Sequence, residues 1–224
     1  MAAVAVSVVV VRREAGEVSQ LTEDEHNTLT SAIQSMERKV TGELIVVVTE
    51  ASDGYRYIPT LWAAIAALVL PAVAILMLDS ADKVRIYSLQ VTLFFGLLWL
   101  FQWEPIRRLI VPAAIMQERA ARFAREQFFA QRMHHTTERC GAMIFISQLE
   151  HHVEILVDKG LSDKVDNAYW QQVIQSMTPL LKQRKTAAAC ELAIAAVAEM
   201  MEQYAKRNQE LPKDNELPDH VIEL

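Results

Sequence analysis

At 224 residues the chain is long enough for one domain with membrane segments, or for two small domains. Its net charge of -6 and pI near 5.6 argue against general nucleic-acid binding by electrostatics. Hydrophobic residues make up 52%, and the mean hydropathy of +0.12 averages over a strong local excess. The two cysteines, Cys140 and Cys190, have no CxxC spacing, so they read as buried reduced thiols rather than a zinc ribbon or redox pair.

Residues 1–11 are apolar and β-branched, and Arg12-Arg13 follow them. A secretory signal carries its positive charge before the apolar run, and this run is too short to span a bilayer. Residues 1–18 therefore read as a disordered extension or a mis-called start. Thr22-Glu23-Asp24-Glu25 is a capping box, and Leu29, Ile33, Met36 and Val40 follow at helical spacing, which predicts a helix over 22–40. Residues 44–48, a β-branched run between Gly42 and the turn Ser52-Asp53-Gly54, predict a buried central strand.

The pattern then changes. Residues 58–78 carry no charge over 21 positions, a helix of about 31 Å, which matches a hydrocarbon core. Pro71 lies inside this run, and membrane helices tolerate it. A polar turn at 79–83 leads to a second apolar run at 86–103, with Trp62, Tyr87, Trp99 and Trp103 towards the ends as interfacial aromatics. The expectation is a two-helix transmembrane hairpin at 58–103. Arg38, Lys39, Arg56, Arg107, Arg108, Arg119 and Arg122 flank it, which predicts that both termini are cytoplasmic.

Residues 112–133 predict a helix with Ile115, Ala120, Phe123, Ala124 and Phe128 on one side. Residues 142–147 and 153–158 predict a β-hairpin whose second strand has the more polar face. Asp166 caps a helix bearing Trp170, Val173, Ile174 and Met177, which Pro179 bends or ends. Residues 186–206 predict a last helix, and residues 208–224 an extended polar tail. The fold class is α/β: a small sheet of three to four strands packed by helices, with the hairpin inserted after the first strand. The first two strands are expected parallel and the third antiparallel. Residues 19–57 and 104–207 are then two parts of one domain.

Thr41-Gly42-Glu43-Leu44-Ile45-Val46-Val47-Val48, Arg139-Cys140-Gly141-Ala142-Met143-Ile144-Phe145-Ile146-Ser147 and Val153-Glu154-Ile155-Leu156-Val157-Asp158-Lys159-Gly160-Leu161 resemble the TPM-domain family. That family takes its name from a thylakoid phosphatase-like protein, a photosystem repair factor and a nematode receptor-associated protein. The ending Asn215-Glu216-Leu217-Pro218-Asp219 and the internal apolar insertion resemble its bacterial membrane-protein subgroup. The resemblance implies the sheet-and-helix fold and, for some members, acid phosphatase activity and binding of a divalent metal such as calcium. An acidic residue common in the family's Gly-Leu-Glu turn is absent here, where Gly160-Leu161-Ser162 stands.

The residues themselves offer one polar cluster, Glu43, Arg139 and Asp158, at the strand end where Gly42, Gly141 and Gly160 would open space. His135 and His152, one from each adjacent histidine pair, are weaker metal candidates, since His152 and Asp158 lie about 20 Å apart along one strand. No GxSxG, P-loop, HExxH or EF-hand pattern occurs. Two readings stay open, beside the bland third of a membrane protein whose domain only oligomerises. One is an accessory or assembly module at the bacterial inner membrane, whose partners are the bilayer and other membrane proteins or a second copy. The other is a metal-dependent phosphatase-like hydrolase.

Overall fold

The computed structural model describes residues 4–9, 21–55, 57–77, 83–101, 103, 106, 110–136, 138–205 and 221–223. The chain divides into two compact units, residues 1–52 with 117–224, and residues 53–116. Arg56, Arg107 and Arg108, the turn residues 79–82 and residues 208–220, all invoked above, lie outside the described residues.

The larger unit opens with strand β1 (Val4–Val9) and helix α1 (Glu23–Glu37). The capping box forms as the spacing requires. The Glu25 N–H donates to Thr22 Oγ1 at 3.3 Å, and the Thr22 N–H donates to Glu25 Oε2 at 2.9 Å. Strand β2 (Glu43–Thr49) follows, and every one of its residues is buried. After the smaller unit come helix α4 (Ala113–Ala130), a 3₁₀ turn (Met133–His135), and the hairpin β3 (Gly141–Ser147) and β4 (His152–Val157). The chain then runs through a short helix α5 (Lys159–Ser162), α6 (Asn167–Lys182), α7 (Thr186–Tyr204) and β5 (Val221–Glu223). The smaller unit holds α2 (Tyr57–Met77) and α3 (Lys83–Phe101).

The sheet order is β1-β4-β3-β2-β5. β2 and β3 are parallel, from Glu43 opposite Gly141 to Thr49 opposite Ser147, and β3 and β4 are antiparallel. Both relations match the expected topology. Because the strands are buried on both faces, they read as continuous apolar runs rather than alternating ones. One face carries Leu44, Val46, Val48, Ile144, Ile146 and Ile155 beneath α1, α6 and α7, with Leu29, Ile33, Trp170, Ile174 and Met201 among the covering side chains. The other face carries Ile45, Val47, Met143, Phe145 and Leu156 beneath Ala120, Ala124 and Phe128 of α4.

The sheet has five strands rather than three or four. Residues 4–9, expected to lack structure, form β1 and pair antiparallel with β4 from Val4 opposite Val157 to Val9 opposite His152. Both faces of β4 are buried, so its outer backbone groups need partners, and β1 supplies them. Within the segment expected to be a tail, Val221 enters the core and β5 pairs parallel with β2. Helix α6 continues through Pro179 to Lys182.

In the smaller unit α2 and α3 pack together. Helix α2 buries Ala63, Ala67 and Pro71, spaced four apart, while Leu61, Trp62, Ile65, Leu68, Val69 and Leu70 are exposed. Helix α3 shows a matching half-buried stripe at Ile86, Gln90, Leu93, Leu97 and Phe101. Among the described residues one segment, Val84–Phe101, is long and apolar enough to cross a membrane. The apolar stretch Tyr57–Val73 of α2 is shorter.

Candidate functional site

The backbone brings Glu43, Arg139 and Asp158 to one end of the sheet, the amino ends of β2 and β3. Glu43 opens β2 opposite Gly141, and the Asp158 N–H donates to the Gly141 carbonyl at 2.8 Å. Arg139 has a φ of 54°, and its carbonyl accepts from the Gly160 N–H at 2.8 Å. Asp158 caps α5, its Oδ1 accepting from the Lys159 N–H at 2.8 Å, while its buried Oδ2 has no hydrogen-bond partner among the described residues. Thr41 ties the neighbouring loops together by donating its hydroxyl to Glu138 Oε2 at 2.6 Å.

The glycines at this end close space instead of opening it. A Cβ on Gly42 would stand 2.7 Å from the Cys140 carbonyl oxygen, and one on Gly160 2.5 Å from that of Arg139. A Cβ on Gly141 would run into the Met133 carbonyl. Backbone therefore fills the room expected beside Glu43 and Asp158. The glycines are there for close approach.

The histidine candidates fall apart. His135 is exposed at the end of the 3₁₀ turn, with its ring 4.2 Å from that of His134. His152 is buried at the start of β4, at the opposite end of that strand from Asp158. Among the described residues no group of three or more His, Cys, Asp or Glu side chains is placed to hold a metal ion.

A second polar group lies at the other end of the sheet, where β2 and β3 finish. Open α/β sheets characteristically bind ligands at the carboxyl ends of their parallel strands. Thr49 and Ser147 end the two strands side by side, both buried. Ser147 donates its hydroxyl to Glu150 Oε2 in a short bond, and Ser52 donates its own hydroxyl to Ser147 Oγ at 2.9 Å. The ring closes where the Ser52 N–H donates to Glu150 Oε1 at 3.0 Å. Beside it on β4, His152 Nε2 sits 3.0 Å from Glu154 Oε2, with both residues buried. Among the described residues neither His152 Nδ1 nor Glu154 Oε1 has a hydrogen-bond partner.

Ser147 lies directly across from His152 in the β3–β4 register, so a serine, a histidine and a glutamate share one face of the hairpin. This is not the arrangement of an acyl-transfer site. A nucleophilic serine donates to its histidine, whereas Ser147 donates to Glu150. Only 1% of Ser147 and 2% of His152 is exposed, so no substrate reaches either. The ring instead fixes the strand ends and the point where the chain leaves β2.

Of this group, sequence reasoning singled out His152 alone and overlooked Ser52, Ser147, Glu150 and Glu154. Glu154 alternates with Val153 and Ile155, a pattern that ordinarily points a polar residue to solvent. In the structure Glu154 is buried, and β1 pairs beside it with Ser7 opposite. The available signal was the pair of hydroxyl residues, Thr49 and Ser147, ending two otherwise apolar strands.

The two thiols offer no reactive group. Burial pushes the Cys190 thiol up to about 12, with Glu191 adding to the effect. Burial raises the Cys140 thiol as well; Lys164 opposes this, and Glu138 and Asp158 add to it.

Residues 105–200 match the family model of the TPM domain. Over these residues, just under half of the chain, it is similar to the TPM domain. The TPM match takes in α4, β3, β4 and α6, and with them Arg139, Ser147, Glu150, His152, Glu154 and Asp158. No curated protein matches the chain. Among solved structures, the BA42 protein from the psychrophilic bacterium Bizionia argentinensis, determined by NMR, superimposes with a TM-score of 0.55. It is 14% identical, and the alignment covers 91% of this chain and 94% of that one, a likeness of fold.

Proposed function

We propose that this is an integral membrane protein whose TPM domain faces the cytoplasm of a bacterium and acts as an accessory or assembly module. A two-pass hairpin of α2 and α3 holds it at the inner membrane. The observation that carries this reading is the inside-out packing of the smaller unit. Between them α2 and α3 bury small residues such as Ala63 and Ala67, and Leu68, Phe95 and Trp99 are left exposed. A water-soluble helical pair does the reverse, whereas helices in lipid pack through small side chains and present large apolar ones to the acyl chains. None of the 18 residues Val84–Phe101 is fully buried, and their mean hydropathy is 1.6. Helix α2 has 21 residues, about 31 Å, which supports a second crossing.

The assembly role rests on the polar groups described above. Ser147, Glu150 and Asp158 are buried, and the hydrogen bonds they make hold strand ends and the start of a helix, which supports a scaffold over a reaction centre.

The test is extraction of native membranes with alkaline carbonate, followed by metal analysis of the detergent-purified protein and an assay on a generic phosphate ester. The proposal expects the protein to stay in the pellet, and the purified sample to show neither stoichiometric metal nor hydrolysis. Release into the supernatant would overturn the membrane reading. Hydrolysis abolished by Asp158→Asn would replace the module with a metal-dependent phosphatase-like hydrolase.

A further inference from the structure

Strand β5 is a plug set into a sheet edge. It pairs with β2 at only three positions, Val46 with Val221, Val47 with Ile222 and Val48 with Glu223. Successive side chains of a strand point to opposite faces. Val221 accordingly belongs to the core beneath α1, α6 and α7, and Ile222 packs on the core beneath α4. His26 of α1 adds a clasp, its Nε2 lying 3.1 Å from the Val221 carbonyl oxygen. Three residues thus carry all the recognition described here: two apolar pockets on opposite faces, one polar contact and a run of backbone hydrogen bonds.

Sixteen residues, 205–220, separate the end of α7 from this plug. Extended, they span about 50 Å, far more than the width of the sheet. Among the described residues, the contacts that seat the plug are made by Val221, Ile222 and Glu223 themselves. The same residues from another molecule would make the same contacts, so the closed and exchanged forms differ only in connection entropy and local concentration.

We infer that the edge of β2 on which β5 pairs is a strand-docking surface whose exchangeable occupant is residues 221–223 of a second copy of this chain. Reciprocal exchange makes both docking events equivalent and closes a two-fold dimer without any new apolar surface. The inference rests on the assembly reading above and names the partner and the surface used. Confinement to a membrane raises the concentration of copies and favours exchange over self-docking.

Two full-length copies with different affinity tags, co-expressed and purified in detergent, test this. The expected result is co-purification that falls at least tenfold when both copies carry Val221→Asp, which places a charge in the apolar pocket. In parallel, the full-length double variant Val47→Cys/Ile222→Cys is oxidised in the membrane. Exchange gives a disulfide-linked dimer on a denaturing gel, and self-docking gives an internally linked monomer. If Val221→Asp lowers helix content, the disulfide pattern alone decides. Co-purification that survives Val221→Asp, or linkage only within monomers, overturns the strand exchange and leaves the assembly reading standing. Absence of co-purification altogether overturns both.

Discussion

His152 Nε2 and Glu154 Oε2 lie 3.0 Å apart on one face of β4, in a position where neither residue meets water. A buried pair of this kind costs desolvation on both sides and holds only while both members are present. Glu154→Leu should therefore destabilise the domain by about 3–5 kcal/mol, because it strands the imidazole. The double variant His152→Phe/Glu154→Leu should recover most of that loss, since apolar groups of similar volume need no partners. Denaturant unfolding of the four proteins in the cycle measures the coupling. A double variant no more stable than Glu154→Leu would show that the pair is not an isolated unit.

Gly160 makes a sharper test of packing. Its missing Cβ leaves room for the Arg139 and Glu138 carbonyl oxygens, at 2.5 and 2.6 Å from where that atom would stand. Backbone on both sides cannot swing away as a side chain would. Gly160→Ala should cost on the order of 1–3 kcal/mol through forced backbone displacement. Gly96, with nothing within 4 Å of its Cβ position, is the control, and Gly96→Ala should be neutral or stabilising. Thermal unfolding of both variants in detergent separates the two outcomes.

These glycines also mark how far the sequence could be read. The helices were legible because capping and periodicity are local: Thr22 with Glu25, Asp166, and the stripe through Trp170, Ile174 and Met177. The parallel β2–β3 pair and the β3–β4 hairpin followed from buried runs and right-handed crossovers. β1 and β5 were not legible, since their reason for forming is the unsatisfied edge of a strand distant in sequence. The reading of Gly42, Gly141 and Gly160 as opening space failed for a related reason. A glycine beside a carboxylate looks like open space until the carbonyl that fills it is known, and Met133 lies eight residues from Gly141.

The capping box predicts a pH dependence with a definite sign. Hydrogen bonds from the Thr22 backbone N–H and then its hydroxyl hold the Glu25 carboxyl below its ordinary 4.5. A carboxylate whose folded value is depressed stabilises the native state fully above its unfolded value, and that contribution fades as pH falls through the folded one. Glu25→Gln should flatten this part of the stability profile below pH 5 and leave neutral stability little changed, because the group is exposed. Thr22→Ala, which removes the acceptor for the Glu25 N–H, should cost about 1 kcal/mol at neutral pH. Circular dichroism melts across pH 3 to 7 would show whether the low-pH slope disappears.

Both thiols should be silent in the native protein. A thiol held near 12 has a thiolate fraction at pH 8 roughly a thousandfold below that of a free cysteine. Iodoacetamide should therefore leave the folded chain unmodified and add two groups once denaturant is present. Intact mass after a fixed exposure reads both numbers. A native protein labelled at Cys140 would show that the strand end around Gly141 opens on the timescale of the reaction.

The membrane reading makes two neighbouring residues of α2 respond in opposite ways. Leu68 is 65% exposed, and Ala67 lies 3% exposed, in the buried seam of its own unit. If Leu68 meets acyl chains, Leu68→Arg places a charge in hydrocarbon, at about 2.5–3.5 kcal/mol near the centre of a span. The carbonate-resistant fraction should then fall, with the larger unit still folded. Ala67→Leu adds apolar volume, which lipid would accept on an outer face but a close-packed seam cannot. It should leave membrane retention intact while lowering the unfolding temperature of the hairpin, at roughly 1–3 kcal/mol for overpacking. Were the pair instead covered by water, Leu68→Arg would improve solubility and change nothing else. The contrast between adjacent positions decides the matter, because a general loss of stability would affect both alike.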